Sequence, residues 1–229
     1  MSIKEYNIDT DTVSIKNKEL KFMPKVSLEL TNSRKEEIVK ACETLYETMS
    51  FKDITIKEIG NITSFTRTSI YNYFSTKEEI FLALLQKEYE YWIEDLNSII
   101  DKNTELSREN LADCLAHSLE KRKNMLKLLA MNLYDIEENS RTEKLVEFKK
   151  VYGCSLAAVK KMVAKFCKDM NENNIKEFLF SFFPFVYGIY PYAVVTDKQR
   201  QAMNEAGVDF VYMSIYDIAF AGAKRLLGV

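Results

Sequence analysis

Four helix starts follow one another within 47 residues, and few folds accommodate them. Ser33-x-x-Glu36, Thr55-x-x-Glu58 and Thr76-x-x-Glu79 are capping boxes, and Thr66-x-x-Ser69 places a hydroxyl where a further helix can begin. In such a box the hydroxyl accepts from an amide three residues on, and the acid reaches back. After Ser33, residues Ile38, Ala41, Cys42, Leu45, Tyr46 and Met49 form one apolar stripe at helical spacing. The second start opens a short helix through Ile62 with Ile56 and Ile59 inward. The fourth opens a long helix with Ile80, Leu84, Tyr91, Trp92, Leu96 and Ile99 on its apolar side. Three short helices, a tight turn between the second and third, and a long exit helix predict a helix-turn-helix head.

The rest of the chain is also predicted to be helical, so the expected fold class is all-α. With six glycines and three prolines in 229 residues, and 47% hydrophobic residues, the composition favours helices around an ample core. Body helices are expected near 107–121, 123–137, 142–169, 174–193 and 205–227, the last closing at Lys224, Arg225 and Gly228. The expected domains are a 1–30 N-terminal extension, a 31–80 helix-turn-helix domain and an 81–229 helical body. Residues 1–30 are polar and read as a small hairpin or a loose tail, and Met23-Pro24-Lys25 reads like a translation start.

Several classes of chemistry lose support. His117 is the only histidine, so metal sites built on several histidines are excluded and no metal is expected. Cys42, Cys114, Cys154 and Cys167 lack zinc spacing and read as small buried hydrophobes in a reducing compartment. There is no Gly-rich phosphate loop and no recognisable carboxylate pair, so neither an enzyme nor a cofactor is expected. No apolar run reaches the ~20 residues that span a bilayer, and a cytoplasmic location without membrane association is expected.

The third helix carries the functional reading. With Ile70 and Phe74 inward, the outward side is centred near Asn72 with Thr68 and Ser69 beside it. Tyr71 and Tyr73 flank that surface, and Arg67 lies in its first turn. Small polar groups between long donors suit a DNA major groove, with base edges at the centre and phosphates at the rim. Lys77 adds a cation beside the positive end of the next helix, and Thr55 and Lys57 do the same on the other side. Residues 31–80 hold seven Lys/Arg against eight Asp/Glu, so the footprint is local rather than generally basic.

The run F-K-D-I-T-I-K-E-I-G-N-I-T-S-F-T-R-T-S-I-Y-N-Y-F-S-T-K-E-E-I resembles the DNA-binding head of the tetracycline-repressor (TetR) family. Ile59, Phe65, Thr66, Ile70, Tyr71, Tyr73, Phe74, Lys77 and Ile80 occupy the family's characteristic places over about 50 residues. The resemblance implies Lys57, Arg67, Thr68, Ser69 and Asn72 as base-facing, and Thr55, Tyr71, Tyr73 and Lys77 as phosphate-facing. Thr66, at the helix start, joins this DNA-binding set. The chain departs from the family at Gly60, at Thr68 and at Ser64, which stands where the turn glycine is usual. If Ser64 takes the left-handed conformation it costs ~1–2 kcal/mol.

The resemblance further implies a homodimer joined through the last two helices, a double-stranded DNA operator and a small-molecule effector held in the body. E-F-L-F-S-F-F-P-F-V-Y-G-I-Y-P-Y is apolar on two stripes, Phe178/Phe182/Phe185/Ile189 and Phe180/Phe183/Tyr187/Tyr190, as expected for a helix covered by its own body and a partner. Residues 208–221 are similarly apolar, and Pro184 is expected to kink its helix. Phe148, Tyr152, Met162 and Phe166, with Met131, Tyr134, Phe178, Phe182 and Phe185, are candidates for an apolar effector pocket; plain core packing is the alternative for all of them. The expected function is a ligand-responsive transcriptional regulator, a repressor by family analogy, released by a small apolar or aromatic effector. The alternative is a helical carrier or adaptor that no longer binds DNA.

Overall fold

The computed structural model describes residues 25–229, and the hairpin or tail expected over the first residues lies outside them. Every regular element among the described residues is a helix. The head comprises α1 (Lys25–Thr48), α2 (Ile56–Asn61), α3 (Arg67–Ile70) and the start of α4 (Lys77–Lys102). The body adds α5 (Arg108–Glu120), α6 (Lys123–Met131), α7 (Leu133–Glu138), α8 (Thr142–Phe166), α9 (Glu172–Ala193), α10 (Asp197–Glu205) and α11 (Ile215–Leu227).

Three of the four expected helix starts are realised as N-caps, with the hydroxyl half of each box but not the returning acid. Thr55, Thr66 and Thr76 are N-caps whose side chains accept from the amides of Glu58, Ser69 and Glu79. The fourth is corrected: α1 already runs from Lys25, so Ser33 lies inside a helix rather than at its start. Ile38, Cys42 and Tyr46 are buried as the stripe requires.

Helix α4 is the spine. It packs on α1 at one end and against α5, α6, α7 and α8 along its length. Ile80, Phe81, Leu84, Leu85, Tyr89, Trp92 and Leu96 are buried on it, which is more than one stripe can hold. Tyr91, expected inward, is instead exposed, its ring beneath the Lys87 ammonium and the Arg122 guanidinium. Residues two apart on a helix point to different sides, so burial of Tyr89 directs Tyr91 outward.

The body departs from expectation where local signals compete. The helix expected over 123–137 breaks at Asn132, whose Oδ1 accepts from the Tyr46 hydroxyl at 2.9 Å. Of the helix expected over 205–227 only α11 forms; residues 206–214 are not helical, and α10, which was not expected, ends at Glu205. Helices α10 and α11 each open with a capping box, Thr196/Gln199 and Ser214/Asp217, and Gly207 turns the chain at φ +66°. Helix α9 continues through Pro184 and Pro191, both on its exposed side. Its two expected stripes are also redrawn. Phe183 is buried, Tyr187 and Tyr190 are half-buried, and Phe180 alone of the second stripe is exposed, at 80%. Cys154 is exposed, unlike the buried thiols of Cys42 and Cys167.

Packing of α9 on α11 depends on the absence of a side chain. A Cβ at Gly222 would lie 2.1 Å from Cζ of Phe185, far inside contact distance, so the ring tip occupies the space a side chain would need. Gly222→Ala gains about 1 kcal/mol of helix propensity but meets an overpacking cost of about 1–3 kcal/mol, here at the upper end. The expected outcome is a lower urea midpoint than wild type. Phe185→Leu in the same background is expected to recover part of the loss. An unchanged midpoint for Gly222→Ala would refute this packing.

Candidate nucleic-acid interface

Helix α3 makes only one formal turn, but its hydrogen bonding carries on. The amides of Asn72 and Tyr73 donate to the carbonyls of Ser69 and Ile70, and that of Phe74 donates to Ile70 at 3.1 Å. Helical directions therefore persist to Phe74. Ile70 and Phe74 are buried, while Arg67, Thr68, Tyr71 and Asn72 are exposed and Ser69 and Tyr73 half-buried. Thr55, Lys57 and Thr66 are also exposed. Arg67 and Tyr71 are paired before any ligand arrives: Nη2 donates to the phenol at 3.2 Å and the guanidinium lies 5.8 Å from the ring centroid. Thr66 Oγ1 and Ser69 Oγ are 3.0 Å apart, tying the cap to the face.

Two features differ from the sequence reading. Lys77 is turned inward rather than presented to a phosphate. Its ammonium donates to Phe51 O at 2.7 Å and Ile54 O at 3.2 Å and lies 4.4 Å from the Phe51 ring centroid. Those carbonyls lie in the α1–α2 connection, outside any helical ladder, so the lysine satisfies them and ties α4 to that connection. Ser64 is not left-handed either, since no non-glycine among the described residues has positive φ. Its amide donates to Glu37 Oε1 of α1 at 2.7 Å. That bond holds the Glu37 carboxyl below its usual range, and the turn is closed by a carboxylate instead of by glycine's freedom.

The sequence reading missed Arg34. From α1 its Nη1 donates to the Tyr73 hydroxyl at 3.0 Å, and its guanidinium lies 5.8 Å from the Phe65 centroid. It therefore fixes one rim tyrosine and adds a cation at that edge. Placing the helix start at Ser33 hid it, because a residue in a first turn has no fixed face.

Residues 86–214, more than half of the chain, match the tetracyclin repressor-like C-terminal domain. The chain belongs to the tetracycline-repressor-like family. An uncharacterized HTH-type transcriptional regulator, YfiR of Bacillus subtilis (strain 168), is 33% identical over 107 residues, which cover 41% of this chain and 51% of that protein. The chain thus aligns with about half the length of this curated relative. A TetR/AcrR-family regulator from Thermobifida fusca superposes with a TM-score of 0.57 at 14% identity, covering 85% of this chain and 97% of that one. FadR from Bacillus subtilis, solved with stearoyl-CoA, gives 0.55 at 12% identity over 84% and 97%. At such identities the likeness concerns the fold.

In this family member the residues expected to bind an effector are not brought to one cavity. Met131 and Tyr134 are 59% and 79% exposed and border a surface groove beside the α6–α7 break. Phe185 is spent on Gly222 of α11. Phe148, Tyr152, Phe178 and Phe182 do meet, in a run of rings completed by Tyr89, Trp92 and Phe183. Met162 is buried and Phe166 half-buried on the same helix as Phe148. Burial, above all, pushes the phenols of Tyr89 and Tyr187 well above the usual range, and the neighbouring phenols add to it. A separate cleft of about 750 Å³ lies between α1, α4 and the first turns of α8, with Val39, Phe74 and Leu82 among its lining residues. His117 is on the surface, its ring 4.5 Å from that of Tyr216. No group of three or more His, Cys, Asp or Glu side chains among the described residues could hold a metal, and no single helix there is long and apolar enough to cross a membrane.

The turn geometry gives a prediction with a definite sign. Were Ser64 left-handed, Ser64→Gly would stabilise the head. With φ negative, glycine only enlarges the unfolded ensemble, so a loss of about 0.4–1 kcal/mol is expected. Urea unfolding of the variant checks it, and a gain would show that the turn needs positive φ.

Proposed function

We propose that the chain is a homodimeric, effector-responsive transcriptional regulator that reads DNA through the outward face of α3. The observation that carries this reading is the division of that short segment. Ile70 and Phe74 anchor it in the core, and Arg67, Thr68, Tyr71 and Asn72 stand together in solvent. Thr68, Ser69 and Asn72 are the base-reading groups, with Lys57 and Arg67 able to reach guanine edges. Thr55, Thr66, Tyr71 and Tyr73 hold phosphates, and Arg34 steadies Tyr73.

A second copy joins through α9 and α11. The exposed side of α9 carries Phe180, Pro184, Gly188 and Tyr192 at four-residue spacing, an apolar strip suited to a self-complementary contact. Two α3 segments then enter successive major grooves of an inverted repeat, ~34–36 Å apart. An apolar or aromatic effector acts by favouring a different head spacing, and repression is the mode the family resemblance suggests. The rival reading, a carrier or adaptor without DNA binding, is favoured by the inward Lys77 and by the slight excess of acids in the head.

Selection from random duplex DNA at low salt separates the two readings. Wild type is expected to enrich an inverted repeat, and Arg67→Ala/Tyr71→Ala is expected to lose it while keeping its fold by circular dichroism. Affinity should fall steeply with salt as phosphate contacts release counterions. No enrichment with wild type would sink the DNA-reading function and leave the carrier.

A further inference from the structure

The buried carboxylate of Glu79 is used in a way its capping box does not predict. Instead of returning to the Thr76 amide, it accepts from Ser75 N at 2.8 Å and from three donors of Arg141. Arg141 Nε lies 2.6 Å from Oε1, Nη2 lies 2.9 Å from Oε2, and the Arg141 amide donates to Oε1 at 3.2 Å. Each oxygen thus takes two bonds, and Glu79 is 1% exposed. Beside it, Thr76 Oγ1 donates to Asn139 O at 3.1 Å. The α7–α8 turn is therefore fastened to the start of α4 by a two-pronged ion pair and a hydroxyl.

The position of this contact matters more than its strength. Ser75, one of the four donors to Glu79, follows Phe74, the last core anchor of the α3 segment. Arg141 is the N-cap residue of α8, the helix that carries Phe148 and Tyr152 into the ring cluster around Tyr89. One ion pair joins the end of the DNA-facing segment to the beginning of the helix that lines the body's aromatic core. We propose that Glu79 and Arg141 are the positioning pair that fixes the head relative to the body, so that movement of α8 is passed to α3 through this contact. The proposal rests on the DNA-reading function and names the residues through which that function is regulated.

Its geometry sets the test. Glu79→Gln keeps the shape of the side chain and removes the charge. Arg141→Gln removes the fork, and Arg141→Lys keeps a charge without the fork. With an operator duplex from the selection, Arg141→Gln and Glu79→Gln are each expected to weaken binding by about 5–150-fold, the usual range of coupling between sites. Arg141→Lys should fall between them and wild type. Because the two residues act as a pair, the double variant should be no weaker than either single one. Lys168→Gln, which breaks the remote Lys168–Glu105 pair between the α8–α9 and α4–α5 connections, should bind as wild type does. Hydrogen exchange on the free protein supplies a readout that needs no DNA: amides of residues 67–79 should lose protection in Arg141→Gln while those of α9 and α11 keep theirs. Unchanged exchange at 67–79 would overturn the proposal, as would affinities within twofold of wild type or additive losses in the double variant. Failure of wild type to bind DNA would strike the regulator reading, and the exchange result would still decide the pair.

Discussion

Helix α4 belongs to two cores at once, and the rest of the structure depends on that. Its 26 residues span about 39 Å. Ile80 and Phe81 pack among head residues such as Tyr46 and Phe51, and Trp92 and Leu96 lie in the body. At about 25 cal/mol per Å² of apolar surface removed from water, the helix is held at both ends by burial that neither half supplies alone. Domain boundaries expected at 30/31 and 80/81 therefore do not coincide with breaks between elements: α1 and α4 run across them. Head and body differ in role while sharing one continuous rod.

Polar contacts then decide how the rod is seated, and two buried carboxylates on α4 show opposite solutions. For Glu79, burial alone would push the pKa up. The Arg141 guanidinium and the amides of Ser75 and Arg141 outweigh it and hold the carboxyl below its ordinary value. For Glu88 burial prevails and the pKa rises, because Arg122 Nη1 approaches only to 3.7 Å and Oε2 has no hydrogen-bond partner. A buried ion pair is secure only when its remaining lone pairs are also satisfied. Glu79 meets that condition and Glu88 does not, so the rigid joint lies at the head end of α4. Two further bonds act at the same joint: Tyr46 reaches Asn132, and Lys127 donates to Tyr46 O at 2.9 Å. The stretch from Lys127 to Arg141 is in this way fastened to the head at several points.

The DNA-facing surface illustrates how little a residue's type says about its direction. Lys77 and Arg67 are both cations in a first helical turn. Arg67 lies over Tyr71 at the surface, whereas Lys77 serves the orphan carbonyls of Phe51 and Ile54. Backbone carbonyls in a connection with no ladder partner demand donors, and a four-carbon stem from the start of α4 is long enough to provide one. Arg34 was expected in a first helical turn but lies well inside α1, which begins at Lys25, and it holds Tyr73 in place. The surface is thus assembled from α1, α2 and α3, of which α2 and α3 had been legible as its source and α1 had not.

The sequence alone determined the all-helical class, the caps at Thr55, Thr66 and Thr76, and the inward pair Ile70 and Phe74. Each of these follows from a local rule: a hydroxyl satisfying an amide three residues on, or apolar side chains four apart. Local signals also existed for the α10 and α11 starts, in Thr196/Gln199 and Ser214/Asp217, but the apolar run across 208–221 masked them. Tertiary structure decided the rest. It exposed Tyr91, set the Phe185 ring over Gly222, turned Lys77 inward and closed the Ser64 turn with Glu37. It also joined Glu79 to Arg141 across 62 positions of the chain. Those outcomes depend on which surfaces compete for the same space and which buried groups still lack partners. Neither is a property of any short stretch of sequence, because the competing groups are brought together only when the helices pack.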